Sequence, residues 1–228
     1  ITFNYISTYV FYLGAELKGI EMKNKIVLLI ASFMAVFVMS GCSMMKMGAA
    51  YMGFPSEAQE AYADMMNQLG ETGDPAQAMM REWEITDKDL TEEDVFDEMK
   101  SLAGEYNMRY VGEKDMFRLL DEEVEAFEKA GIPKSEQVVH ARIGEFCSLI
   151  IAKKMFNHSR FYGGFMPCRV AYVEYGDGRR YLISMDMTLA IYGGTDKKPI
   201  SPELMKDMLA VKKAMEEIPT IAAGHELP

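Results

Sequence analysis

A hairpin signal in the C-terminal half constrains the fold of this chain more than any other feature. Apolar and polar residues alternate over 168–175 and again over 179–185, with Gly176-Asp177-Gly178 between the two segments. A glycine-containing turn between two alternating segments predicts two adjacent antiparallel strands. The fold must therefore contain an antiparallel sheet.

The segments around this hairpin predict a compact domain over residues 107–218. Further strands are predicted over 107–112 and 137–143, and helices from Asp115 to Gly131, over 148–157, and from Ser201-Pro202 to Pro219. Such a mixture of strands and helices is typical of the α+β class, a small antiparallel sheet with helices packed on one face. Residues 219–228 are left as a C-terminal tail.

Acidic residues are concentrated upstream of this domain. Residues 51–100 hold 14 Asp and Glu against three Lys and Arg, which equals the net charge of −11 of the whole chain. Three helices are predicted there, from Ser56 to Gly70, from Asp74-Pro75 toward Trp83, and from Thr91 to Gly104. Residues 56–106 are therefore interpreted as an acidic helical extension. Nucleic acid is not expected as a partner, because no basic stripe is present to bind phosphates.

Residues 22–41 read as a bacterial lipoprotein signal peptide. Two lysines precede an apolar run over 26–38, which suits a secretion signal and is too short to span a bilayer. Ser40-Gly41 before Cys42 resembles a lipobox, although Met39 stands where that pattern prefers Leu. The resemblance implies that Cys42 is lipidated and anchors the protein to a membrane of the cell envelope. Cleavage as a plain signal peptide is the alternative.

The segments on either side of the signal peptide have simple interpretations. Residues 1–21 are expected to be a reading-frame extension that is not native, because the chain opens on Ile1 and the signal peptide begins at Met22. A genuine N-terminal arm is the alternative. Residues 42–55 show no clear period and end in Pro55, so they are expected to form a lipid-anchored tether.

Cys147 and Cys168 are the main candidates for chemistry. If their strands are neighbours, the two sulfurs could form a disulfide, a dithiol or a soft-metal pair, with Met155, His158 and Met166 as further ligands. Their spacing matches neither CxxC nor a zinc pattern. Two small buried hydrophobes or a structural disulfide are therefore the preferred interpretation.

Other candidate residues carry weaker signals. His158 lies in a loop before Gly163-Gly164, where a ligand could bind, and His140 in an alternating strand is expected to be structural. Arg169 is the only cation adjacent to either cysteine, so nothing indicates an activated thiolate. No nucleophile elbow, P-loop, dinucleotide fingerprint or HExxH motif occurs. The sequence therefore names no cofactor, no metal and no catalytic residue.

Three motifs carry a family resemblance. They are Glu145-Phe146-Cys147-Ser148, the segment 166–174 with its Pro-Cys-Arg-Val core, and the segment 181–186 followed by Gly193-Gly194. Together they resemble the DUF302 family, whose function is unknown. The resemblance covers about 107–215 and implies a small α+β fold and a possible homodimer. It implies no catalytic residues.

Two classes of function follow. The preferred class is a non-catalytic envelope lipoprotein that binds a small ligand, a soft metal or a partner between sheet and helices. The alternative is a thiol-dependent redox, sulfur-handling or soft-metal (Cu) protein that uses Cys147 and Cys168. The preference rests on the lack of any sign of an activated thiolate.

Overall fold

A computed structural model describes residues 48, 51–192 and 198–227 of the chain. The chain divides into two units, 1–53 and 54–228, and the fold given below is that of the second unit. The signal peptide, Cys42 and the Gly193-Gly194 motif lie outside the described residues. Among the residues that are described, no helix is both long enough and apolar enough to cross a membrane.

Five antiparallel strands form one sheet in the order β1-β5-β4-β3-β2. The strands are β1 (Met80–Glu84), β2 (Arg109–Arg118), β3 (Val138–Cys147), β4 (Cys168–Tyr175) and β5 (Arg180–Met185). The predicted hairpin is the β4–β5 pair, in which Ala171 lies opposite Ile183. The hairpin prediction is confirmed.

Six helices accompany the sheet in the described residues. They are α1 (Ser56–Thr72), α2 (Glu92–Glu105), α3 (Asp121–Lys129), α4 (Leu149–His158), α5 (Thr188–Tyr192) and α6 (Pro202–Ala222). Helices α2 and α6 bury their apolar sides together with the inner side chains of the sheet, among them Phe146 and Tyr172. The predicted α+β class, an antiparallel sheet with packed helices, is confirmed.

The helix predicted from Asp74 toward Trp83 is wrong. A short 3-10 turn over Gln77–Met79 leads into β1, which pairs with β5 along its whole length. Trp83 packs against the core. The Arg81 Nε atom lies 3.0 Å from Oδ2 of Asp186, the residue that follows β5. Pairing with the edge of β5 therefore makes this segment a strand, although Asp74-Pro75 is a local signal for the start of a helix.

The helix predicted from Asp115 to Gly131 is present only over its later part, as α3, and its predicted start at Asp115 is wrong because residues 109–118 form a single long strand. Extra residues at Val111 and Met116 interrupt the register between β2 and β3. These two bulges break the two-residue alternation that would have identified the strand. The Asp115 carboxylate lies 3.1 Å from His140 Nε2 of β3 instead of capping a helix.

Two helices extend past their predicted ends. Helix α1 continues through Gly70 to Thr72, and the next residue, Gly73, ends it with a left-handed φ of 68°. Helix α6 continues through Pro219 to Ala222, and the Pro219 ring is buried in the core. Burial of the ring compensates for the hydrogen bond that proline cannot donate.

Helix α2 belongs to the core and not to an outlying extension. Its start is as predicted, because Thr91 and Asp94 form a capping box. Val95, Phe96 and Met99 on this helix have no exposed surface. The expectation that all core elements lie after Asn107 is therefore wrong.

Candidate functional site

A small cavity lies at the end of the sheet where β3 finishes and β4 begins. Its volume is about 20 Å³, and its walls come from the strand ends, α4, α6 and the 3-10 turn Arg160–Phe165. Six of the side chains that line it contain sulfur: Cys147, Cys168, Met108, Met155, Met166 and Met187. A volume of this size has room for one water molecule or one small ion.

Strand pairing brings the two cysteines to this cavity. Cys168 is the first residue of β4 and lies opposite Phe146, the neighbour of Cys147 at the end of β3. Both cysteines are free thiols and both are half-buried. Of the alternatives left open by the sequence, the structure has the pair of free thiols, with no disulfide between Cys147 and Cys168.

Burial controls the acidity of the two thiols. Burial, with a smaller contribution from the adjacent Cys147, raises the pKa of Cys168 to about 11. Burial also raises the pKa of Cys147. Both groups are neutral thiols near pH 7, so neither is prepared as a nucleophile.

The sequence predicts two of the four methionines that line the cavity. Met155 and Met166 were predicted as accompanying ligands, whereas Met108 and Met187 precede or follow strands without any motif. Only the tertiary fold brings these two to the cysteines. The Met79/Met80 pair and Met66, by contrast, are 40–57% exposed, so they do not pack in the core.

His158 and Arg169 lie away from the cavity lining. The His158 ring lies against Tyr162, with ring centroids 6.2 Å apart. Arg169 lies opposite Glu145 on β3 and its Nε is 3.8 Å from Glu145 Oε1. Because neighbouring residues of a strand point to opposite faces, Arg169 does not act on the Cys168 sulfur.

A second cluster of ionisable groups occupies the other end of the same sheet face. His140 and Arg142 of β3 are buried there among carboxylates from α2 and β2. The Arg142 guanidinium binds Glu92 at 2.9 Å, Glu93 at 3.0 Å and Glu113 at 2.7 Å. The prediction that His140 is structural agrees with its 1% exposure.

Glu92, Asp115 and His140 are close enough to suggest a divalent metal centre. The geometry favours a different role, because each imidazole nitrogen faces a different carboxylate. Nε2 lies 3.1 Å from Asp115 Oδ1, and Nδ1 lies 3.3 Å from Glu92 Oε2 without hydrogen-bond geometry. Both Glu92 oxygens already accept hydrogen bonds from arginines. This cluster therefore joins α2 to the sheet, and the arginines already occupy the Glu92 carboxylate that a cation beside His140 would need.

The described residues thus form a small α+β domain with a sulfur-lined cavity at one end of its sheet. Residues 86–218, more than half of the chain, match the model of the family described as "Domain of unknown function DUF302". The chain belongs to the DUF302 family. The match begins before Asn107 and so includes α2, which extends the range expected from the sequence.

One solved structure gives a distant comparison. It is an uncharacterized conserved DUF302 protein from Bacillus stearothermophilus, which is 12% identical and aligns with a TM-score of 0.41. The alignment covers 62% of this chain and 95% of that chain. No curated protein matches the sequence.

Proposed function

We propose that this domain is a non-catalytic binding module of the cell envelope whose ligand is a soft monovalent metal ion such as Cu(I). The observation that carries the proposal is the convergence of two thiols and four thioethers on one cavity of about 20 Å³. Cysteine and methionine sulfur are the donors that Cu(I) prefers. The walls supply no carboxylate or imidazole for a hard cation.

The state of the thiols favours binding over redox catalysis. A catalytic dithiol needs a thiolate near pH 7, whereas burial raises the pKa of Cys168 to about 11. A metal ion can still displace the thiol protons, in which case its affinity rises with pH. Thiol-dependent redox chemistry therefore remains the weaker alternative.

Anaerobic titration against a coloured Cu(I) chelator tests the proposal. The wild-type chain should withdraw one Cu(I) ion from the chelator, and tighter binding is expected at higher pH. The double substitution Cys147→Ser/Cys168→Ser should abolish this competition. Met155→Leu should weaken it, because leucine keeps the volume and removes the thioether.

Met66→Leu is the matched control for this titration. Met66 is 57% exposed on α1 and lies outside the cavity, so the same chemical change there should leave Cu(I) affinity unaltered. A wild-type chain that never competes with the chelator would sink the soft-metal proposal. Equal weakening by Met66→Leu and Met155→Leu would show that binding is not at the cavity.

A second candidate function is pairing with another copy of the chain through the outer face of the sheet. One row across this face reads Glu82, Ile183, Ala171, Ile143 and Lys114 from edge to edge. The row is apolar in the centre, acidic at β1 and basic at β2. A two-fold axis parallel to the strands would place Glu82 of each copy over Lys114 of the other.

Charge reversal tests this pairing. Lys114→Glu or Glu82→Lys alone should shift the chain toward monomer in sedimentation equilibrium, because like charges would face each other across the axis. The combined Lys114→Glu/Glu82→Lys chain should recover the dimer. A wild-type chain that is monomeric at high concentration would exclude this candidate.

The proposed location rests on Cys42, which lies outside the described residues. Lipidation there should carry the protein into the detergent phase of a Triton X-114 partition. Cys42→Ser should move it to the aqueous phase, while Cys147→Ser should not. A wild-type protein that stays aqueous would contradict the lipoprotein assignment.

A further inference from the structure

An apolar patch lies on the outward surface of α4 and of the 3-10 turn that follows it. It consists of Leu149, Ile150, Phe156, Phe161 and Phe165, which are 42–73% exposed. Ile150 and Phe161 are each 73% exposed. We call these five residues the α4 patch. A cluster of this kind on a surface usually marks an interaction site.

Helix α4 is apolar on two opposite sides. Ile151 and Met155 face the sulfur-lined cavity, and Met155 is 4% exposed. Leu149, Lys153 and Phe156 follow the spacing of a single helix side and are all exposed. Packing against the cavity explains why the inner side of α4 is apolar. It does not explain why the outer side is apolar as well.

The patch forms one surface because the turn packs closely on the helix. A Cβ atom on Gly163 would lie 2.6 Å from Phe156 Cε1, so the Gly163 backbone lies directly against the Phe156 ring. The aromatic rings of Tyr162 and Phe165 lie 6.3 Å apart within the turn. Phe161 and Phe165 are therefore presented beside the exposed side of α4.

The stretch of sequence that carries the patch is basic, whereas the whole chain is acidic. Residues 146–173 contain no Asp or Glu and four Lys and Arg, in a chain of net charge −11. Lys154 is bound to Glu203 and Asp207, and Arg169 to Glu145. Lys153 is exposed, and the Cζ atom of Arg160 lies 4.8 Å from the centroid of the Phe161 ring.

We propose that the α4 patch docks on an anionic lipid bilayer, with Ile150 and Phe161 entering the headgroup region. Exposed Leu, Ile and Phe beside Lys and Arg are the side chains that bind interfacially to anionic lipids. Lys153 and Arg160 beside the α4 patch also orient the molecule, because an anionic surface attracts them and repels the acidic residues of 51–100. The proposal depends neither on the metal nor on lipidation of Cys42.

Site-specific quenching tests the proposal on the full chain bound to vesicles of phosphatidylglycerol with brominated acyl chains. Phe161→Trp reports on the patch, and Phe127→Trp on α3 is the matched control, since Phe127 is also exposed at 43%. Trp83 contributes equally to both variants. We expect bromine quenching of the F161W indole and little quenching of the F127W indole.

Neutralising the cations adds an electrostatic readout. Lys153→Gln and Arg160→Gln in the F161W chain should each lower the docking equilibrium about fivefold, since one basic residue near an anionic surface contributes about 1 kcal/mol. Lys129→Gln on α3 should have no effect. Replacing phosphatidylglycerol by a zwitterionic lipid should reduce the quenching in the same way.

Three results would overturn the proposal. Equal quenching of F161W and F127W would show that the patch is not oriented toward the bilayer. An absence of quenching at F161W would show that it does not enter the membrane. Shielding of the F161W indole without vesicles, increasing with protein concentration, would assign the patch to a protein partner.

Discussion

The two ends of the inner face of β3 bury very different chemistry. At one end, His140 and Arg142 lie among carboxylates that bind them at 2.7–3.3 Å. At the other end, Phe146 lies beside a cavity that Cys168, four methionines and Cys147, the last residue of β3, also line. Helices cover both ends, so burial alone does not explain why their chemistry differs.

The difference shows which buried groups remain available for a ligand. A buried charge costs so much free energy that it must be paired, and here both oxygens of Glu92, the most buried carboxylate at Arg142, are bound by arginines. Sulfur costs little to bury and needs no hydrogen-bond partner. The charged end is therefore suited to holding α2 on the sheet, and the sulfur end to accepting an ion.

The largest effect is expected at the charged end. Arg142→Leu should lower the free energy of unfolding by about 3–5 kcal/mol, because it removes three charge-assisted hydrogen bonds of a buried guanidinium, one of them to the nearly buried Glu92. Denaturant unfolding measures this change. Arg169→Leu is the matched control on β4, where the arginine is 56% exposed and its loss should cost about 0–1 kcal/mol. Similar costs for both arginines would show that the Arg142 cluster does not stabilise the fold.

A smaller effect is expected at the sulfur end. Cys147→Ala and Cys168→Ala should each lower the free energy of unfolding by about 1–3 kcal/mol, as expected for small side chains that are half-buried. The folded variants should nevertheless lose Cu(I) binding. A variant that is destabilised as expected but binds Cu(I) like the wild type would assign these cysteines to packing alone.

The smallest effect is a loss of stability in acid at the charged end. Hydrogen bonds from Tyr110 and Arg142 lower the pKa of Glu113 to about 2 from its ordinary 4.5. The stabilisation is thus present above pH 4.5 and is lost as the pH falls toward 2. It amounts to about 1 kcal/mol after screening, since Glu113 is 36% exposed.

Glu113→Gln distinguishes this source of acid sensitivity from others. The variant should lose the Glu113 contribution to the pH dependence between about 5 and 2, which unfolding measurements across that range would detect. The stability of the Cys168→Ala variant should keep the wild-type pH dependence, because no carboxylate lines the cavity. An unchanged pH profile in Glu113→Gln would show that Glu113 is not the group involved.

Local signals were sufficient for the elements whose boundaries are set by turns and caps. The β4–β5 hairpin follows from Gly176-Asp177-Gly178, and the start of α2 follows from Thr91 with Asp94. The start of α6 follows from Ser201, whose hydroxyl accepts from the Leu204 amide at 3.2 Å. Each of these contacts joins residues that are close in the chain, so the sequence alone contains the information.

Distant contacts account for the errors. Residues 80–84 are a strand because β5 offers an open edge about 100 residues later in the chain. Residues 115–118 are a strand because Asp115 and Arg118 bind His140 and Glu92, and two bulges hide the pattern. Pro219 stays helical because the core surrounds it.

The candidate site also has features that follow from local sequence and features that depend on distant contacts. The sequence by itself determined that the sheet is antiparallel, that the chain is acidic before residue 100, and that Cys147 and Cys168 lie at strand ends. Only the tertiary structure decided that the two thiols share a cavity with Met108 and Met187, and that Arg169 does not. The physical reason is that alternation along a strand is a local property, whereas the set of side chains that close a cavity depends on strand order and helix packing.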